Sequence, residues 1–219
     1  MSDELVERLK KLDCCAVSDA MDQLGYKGVA EGINPLWECG RIAGRVVTYK
    51  LVPAGTIENK SHLGTRAIES ASAGDIVVVE HQGRLNVAGW GGILSLAAKT
   101  KGLGGVIVDG ACRDLDESVE FGFPVYARGA IPSTARGRVV EASFNEPVEI
   151  SGIPVSKGDL VIADRSGVVF VPAENASEII EKAEYIAAKE REMAKQVLAG
   201  RPVTEVMGLN YENMLKKQS

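Results

Sequence analysis

Apolar residues at the start of the chain recur with a helical period. Leu5, Leu9 and Leu12 stand at i, i+4 and i+7, and Val17, Ala20, Met21 and Leu24 repeat that spacing, which predicts two short amphipathic helices, the second ended by Gly25. The pattern then shortens. From Arg41 to Leu51 the run Ile42, Val46, Val47, Thr48 and Tyr49 predicts a strand, closed by Pro53-Ala54-Gly55. A short helix over about 61–71 leads into Ile76–Val79, and Gly105–Asp109 follows a helix over 92–101. Both continuous apolar runs read as strands buried on two faces. Later in the chain strands dominate, at 123–126, 147–150, 160–163 and 168–171, separated by Gly, Pro, Asn and Asp turns. A long helix from about 174 to 199 carries the stripe Ile179, Ile180, Ala183, Ile186 and Ala187, and Gly200 and Pro202 stop it.

No linker rich in Pro, Ser or charge interrupts this order, and no repeat has a fixed period. The simplest organisation is one α/β domain over 1–219 with a C-terminal helical arm from about 174. In the arm, Val203, Val206, Met207, Leu209, Tyr211 and Met214 are apolar enough to pack on a neighbouring subunit or on the chain's own core. The longest weakly polar stretch, Val87–Ala98, falls short of the roughly 18 residues that a membrane span needs. The N-terminus alternates charge with isolated apolar residues, unlike a secretory signal. The expectation is a cytoplasmic protein without membrane contact.

Charge narrows the partners. With 25 Lys+Arg against 30 Asp+Glu the net charge is −5, and no basic run is present, which argues against nucleic acid as a direct partner. The cysteines, Cys14, Cys15, Cys39 and Cys112, lack paired zinc spacing and read as free thiols. Cys112 beside Arg113 is either a reactive thiol or a small buried hydrophobe.

The candidate chemistry lies in Gly89-Trp90-Gly91-Gly92-Ile93-Leu94 and, one βα step later, Asp109-Gly110-Ala111-Cys112-Arg113-Asp114. Glycines leading into a helix expose its first N–H groups at the positive end of the dipole, so Gly91, Gly92, Ile93 and Leu94 form either an anion cradle or a close-packed helix entry. Leu94 stands where a dinucleotide fingerprint needs its third glycine, and no Gly-Lys-Ser/Thr follows to make a P-loop. Arg113 offers a planar fork for a carboxylate, and Asp114 a hard oxygen for Mg²⁺ that keeps most of its waters. Together they suit a 2-oxo acid; alternatively they are a surface pair capping the next helix. Asp109 either orients Arg113 or forms a turn before Gly110. His62 and His81 have no ligand spacing and read as surface or structural residues.

Gly91–Leu94, Val106–Ala111 and Arg113-Asp114 resemble the RraA-like family, which contains the 4-hydroxy-4-methyl-2-oxoglutarate aldolases and the regulator of ribonuclease E activity. Val17–Gly25, Ala73–Val79 and Asp164–Val169 extend the resemblance, as does the 22-residue step from Gly91 to Arg113. It implies an α-β-β-α layered domain assembled as homotrimers or homohexamers, with sites between subunits. It also implies class II aldolase chemistry: a divalent cation, Mg²⁺ or Mn²⁺, on Asp114 polarises a 2-oxo group, Ile93 and Leu94 amides hold the pyruvyl carboxylate, and Arg113 binds substrate and stabilises developing charge. The substrate class is a 4-hydroxy-2-oxo dicarboxylic acid, with oxaloacetate decarboxylation as companion activity.

One position departs from the family. Its aldolases commonly carry Asp or Glu where this chain has Gly92, and a glycine is no general acid. The resemblance also implies a C-terminal-helix glutamate from a neighbouring subunit near the cation's waters, for which Glu190 and Glu192 are the candidates, beside the alternative of solvated helix charges. The second function class is a non-catalytic regulator that binds a ribonuclease. The retained Asp114 favours the enzyme. A methyltransferase activity finds no nucleoside-binding fingerprint to support it.

Overall fold

The computed structural model describes residues 3–58 and 62–208. Helices α1 (Glu4–Leu9) and α2 (Cys14–Leu24) open the chain. Each is started by an aspartate that satisfies first-turn donors: Asp3 accepts from Leu5 N and Val6 N, and Asp13 from Ala16 N. Next come β1 (Asn34–Pro35), β2 (Ile42–Pro53), α3 (Thr65–Ser70), β3 (Ile76–Ala88), α4 (Gly92–Thr100), β4 (Gly105–Cys112), α5 (Leu115–Glu120) and β5 (Val125–Ala130). Then follow β6 (Val139–Phe144), the hairpin β7 (Val148–Ile150) and β8 (Ile153–Val155), β9 (Leu160–Asp164), β10 (Gly167–Val171), α6 (Ala176–Leu198) and α7 (Val203–Val206).

Strands β2, β3, β4 and β5 are parallel, with α3, α4 and α5 as crossovers. The sheet runs β1-β5-β4-β3-β2-β9-β10, with β6 also on β2. Long β2 turns the corner: Ile42–Arg45 pair antiparallel with β9, and Val46–Lys50 pair parallel with β3. Val29 bridges to Val169 at the far edge, so the sheet nearly closes on itself.

Three apolar interfaces give the expected α-β-β-α order. Val47, Tyr49, Val77, Val79, Val106, Val108 and Val125 face α3, α4 and α5, while their neighbours Val46, Ile76, Val78, Ile107 and Tyr126 fill the space between the strand layers. From the other layer, Val161, Ala163, Val168 and Phe170 enter that same interior, and Leu160, Ile162, Val169 and Val171 meet α1, α2 and α6. This two-sided burial is the physical reason for the unbroken apolar runs. The α6 stripe Ile179, Ile180, Ala183, Ile186 and Ala187 is buried in that last interface, so the first half of α6 is core. Farther on, Leu198, Val203 and Met207 are exposed; Leu209, Tyr211 and Met214 lie outside the described residues.

Several boundaries differ from the periodicity. Strand β3 continues past Val79 through polar residues, with a kink where Gln82 and Gly83 adopt φ of 55° and 69°. Helix α3 is shorter than 61–71. Strands β1, β6 and β8 have no counterpart in the pattern: β1 and β8 are only two and three residues long, and β6 interrupts its apolar run with Glu141, a buried carboxylate that accepts from Gly64 N at 2.6 Å and Arg66 Nε at 2.8 Å.

Candidate functional site

The two glycine- and arginine-bearing segments leave the C-terminal ends of the adjacent parallel strands β3 and β4, the edge at which open α/β sheets place ligands. Backbone hydrogen bonds tie them together: Gly89 N donates to Ala111 O at 2.8 Å and Arg113 N to Trp90 O at 3.0 Å. Beneath them, Trp90 Nε1 donates to Ser95 Oγ at 2.8 Å, Ser95 Oγ shares a 2.9 Å hydrogen bond with Ser118 Oγ, and Ser118 Oγ donates to Asp114 O at 3.3 Å. Trp90 also stacks on Phe123. This buried chain fixes α4 against α5. Its only trace in the sequence is two serines on otherwise apolar helix faces.

Asp114 belongs to both helices. It starts α5 in the left-handed conformation (φ 57°, ψ 44°) but makes no side-chain cap to that helix. Instead its Oδ2 accepts from Gly92 N at 3.0 Å and from Arg113 Nε at 3.1 Å. The alternative of a pair capping the helix at Leu115 is therefore corrected: the carboxylate caps α4. That narrows the anion cradle. Gly92 N is taken, whereas Ile93 N and Leu94 N, in the first turn, have no intrahelical acceptor and no other partner among the described residues. The site is an open face, with Ile93 78% exposed.

Other candidates fall away from it. Asp109 is inside β4, not in a turn, and pairs with Arg128 Nε at 2.5 Å, so it orients Arg128 and not Arg113. Gly110 makes room for the ring of His81 and, at 2.9 Å from a built Cβ, for Arg84 O, so close packing accounts for it. His81 is buried, its Nε2 2.8 Å from Val87 O, and burial lowers its pKa, leaving a neutral structural ring. His62 is exposed. Cys112 is buried, and burial pushes its thiol up to about 12, which makes it an inert hydrophobe. Within one chain Glu190 lies with Asp13 and Asp19, burial and those two charges raising its pKa, and Glu192 pairs with Lys195 at 3.2 Å; neither joins the α4–α5 site.

The hard oxygen donor at the site is the Asp114 carboxylate. Asp114 Oδ1 has no protein donor among the described residues, and these residues contain no group of three or more His, Cys, Asp or Glu that would cage a metal. A single carboxylate fits a cation whose remaining positions are filled by water and substrate oxygens. No helix among the described residues is long and apolar enough to cross a membrane.

A βαβαβαβ layer built on one side of a nearly closed sheet, with glycine and arginine–aspartate turns at adjacent strand ends, defines an α-β-β-α protein with open amides at the start of α4. The chain belongs to the RraA-like (Aldolase/RraA) family, whose model matches residues 14–170. It is 33% identical over 182 residues to an uncharacterised protein of Methanocaldococcus jannaschii, covering 81% of this chain and 84% of that one. It is 28% identical to the protein of Halalkalibacterium halodurans named "Putative 4-hydroxy-4-methyl-2-oxoglutarate aldolase", covering 93% and 95%. Legionella pneumophila DlpA is 26% identical over 90% of this chain, which spans only 32% of that protein's length. Among solved structures, an uncharacterised protein from Pseudomonas syringae superposes with a TM-score of 0.85 at 26% identity, covering 95% of this chain and 98% of that one. Streptomyces coelicolor RraAS2, described as an unusual member of the RNase ES inhibitor RraA family, superposes at 0.76 and 25% identity, covering 92% and 98%.

Proposed function

We propose that the chain is a divalent-cation-dependent carbon–carbon lyase that cleaves a 4-hydroxy-2-oxo dicarboxylic acid, such as 4-hydroxy-4-methyl-2-oxoglutarate, to pyruvate and a second carbonyl compound, and that also decarboxylates oxaloacetate. The observation that carries this reading is the joint placement of Asp114 and Arg113 against the α4 N-terminus while Ile93 N and Leu94 N stay open. Names carried by relatives such as the H. halodurans protein support it.

Ile93 and Leu94 N–H groups bind the pyruvyl carboxylate at the positive end of α4. Arg113, held through Nε by Asp114, keeps its terminal nitrogens for the second carboxylate or for charge that develops on the substrate. Asp114 would hold Mg²⁺ or Mn²⁺ through the oxygen that Gly92 and Arg113 leave free. When bound, the cation supplies electrophilic polarisation of the 2-oxo group. The open face fits a site completed by a neighbouring copy in a cytoplasmic homotrimer or homohexamer, where Glu190 or Glu192 of that copy would approach the cation's waters. On this reading residues 1–219 are a single domain.

The test is pyruvate release from oxaloacetate and from 4-hydroxy-4-methyl-2-oxoglutarate with Mg²⁺ or Mn²⁺, repeated with EDTA. Cation-dependent release that EDTA abolishes is the expected result; no release above background from either compound overturns the reading. The likeness to RraAS2 supports a second reading, a non-catalytic partner of a ribonuclease. Ribonuclease binding that survives Asp114→Ala in a protein without lyase activity would establish that one instead.

A further inference from the structure

Gly92 opens α4 without a side chain, and the volume that a side chain there would take is filled from α5. A Cβ built on Gly92 overlaps the Glu117 carboxylate, standing 2.7 Å from its Cδ and 3.2 Å from Asp114 Cβ. Glu117 follows Asp114 by three residues, one helical turn on, which brings both side chains to the same side of α5. Its carboxylate thus covers the first residue of α4, next to the open amides of Ile93 and Leu94, and accepts no hydrogen bond among the described residues.

The lyase reaction needs a group that the rest of the site lacks. Cleavage of the C3–C4 bond removes the proton of the C4 hydroxyl; the oxygen's electron pair forms the new carbonyl, and the C3–C4 pair becomes the enolate, which must later take a proton at C3. Arg113 stays protonated, the amides cannot exchange a proton on demand, and Asp114 Oδ2 is committed to Gly92 N and Arg113 Nε. We propose that Glu117 is the proton carrier: it accepts the C4 hydroxyl proton and returns it to C3, ending the cycle as it began. In oxaloacetate decarboxylation it passes a solvent proton to C3 as CO₂ leaves. This assignment rests on the lyase reading and places the acid–base group of the site on α5, opposite a glycine.

The experiment compares wild type, Glu117→Gln, Glu117→Ala and the double variant Gly92→Asp/Glu117→Ala. Three quantities are read: pyruvate release, exchange of pyruvate methyl protons in D₂O by NMR, and Mn²⁺ affinity by calorimetry. Glu117→Gln is expected to slow release and methyl exchange about a hundredfold with Mn²⁺ affinity unchanged within about threefold, and the double variant to recover at least about tenfold over Glu117→Ala. A wild-type protein that releases no pyruvate overturns the lyase reading and this assignment with it. Active wild type with methyl exchange in Glu117→Gln within about threefold of normal overturns the assignment alone. So does a loss of Mn²⁺ affinity that matches the loss of rate, or a double variant no faster than Glu117→Ala.

Discussion

The Asp114 carboxylate caps the helix that Gly92 begins, 3.0 Å from its N–H, while the Asp114 backbone starts a different helix in the left-handed conformation. On the lyase reading one residue therefore carries a structural and a chemical duty, and asparagine separates them. Its amide oxygen accepts from Gly92 N, and Asn tolerates positive φ better than other uncharged residues of its size. Asp114→Asn is expected to keep its melting temperature within a few degrees of wild type, yet to lose cation-dependent pyruvate release by about a hundredfold or more. Asp114→Ala adds the lost cap, about 1 kcal/mol, seen as a lower midpoint in urea. Near-normal release in Asp114→Asn would remove this residue from the chemistry.

Arg113 donates to Asp114 through Nε only, which leaves its fork available to a planar anion. Lysine keeps the charge but not the fork. Arg113→Lys is expected to lower kcat/KM for a 2-oxo dicarboxylate by about ten- to a hundredfold, the equivalent of one lost charge-assisted hydrogen bond, with little change in stability. Steady-state kinetics on oxaloacetate checks this, and a variant within twofold of wild type would show that bidentate geometry is not used.

The candidate site was legible to the extent that it consists of backbone and of residues next to buried strands. Gly91 and Gly92 stand just past the end of β3, and Arg113 and Asp114 directly after the apolar run of β4, so topology brings them to one edge. What stayed hidden depends on side chains that cross between elements. Asp109 looked like a turn residue because Gly110 follows it, but a buried strand takes both once Arg128 neutralises the carboxylate and the ring of His81 fills the space beside the glycine. Glu117 is one of several acids at the start of α5, and only its overlap with the missing side chain of Gly92 distinguishes it. Strand β6 was masked by Glu141, whose partners Gly64 and Arg66 lie far away in sequence.

The hydroxyl chain under the site sets a hierarchy of costs. Ser95→Ala removes the acceptor of the buried Trp90 Nε1 and one partner of Ser118, stranding a donor where water does not reach, for about 1–3 kcal/mol. In Ser118→Ala the Trp90–Ser95 hydrogen bond survives, so the expected loss is smaller, about 1 kcal/mol. Urea denaturation of the two variants checks the order; equal or reversed losses would mean that Trp90 finds another acceptor.

His81 should make stability fall on mild acidification. Its ring is buried, Nε2 lies 2.8 Å from Val87 O, Nδ1 has no partner among the described residues, and burial depresses its pKa. In the unfolded chain the imidazole takes up a proton near pH 6.5, about its ordinary value. Between that pH and the lower folded value the unfolded state binds more protons than the native state, so the stability that His81 contributes is full above about pH 6.5 and is lost as pH falls through the folded value. His81→Asn cannot titrate and keeps a polar group near the Val87 carbonyl. The variant is expected to be less stable at pH 7.5 but to lose stability less steeply than wild type between pH 7.5 and 5, with the carboxylates shared by both proteins cancelling in the difference. Chemical denaturation across that range measures both slopes, and parallel curves would show that the ring takes up its proton as readily in the native protein as in the unfolded chain.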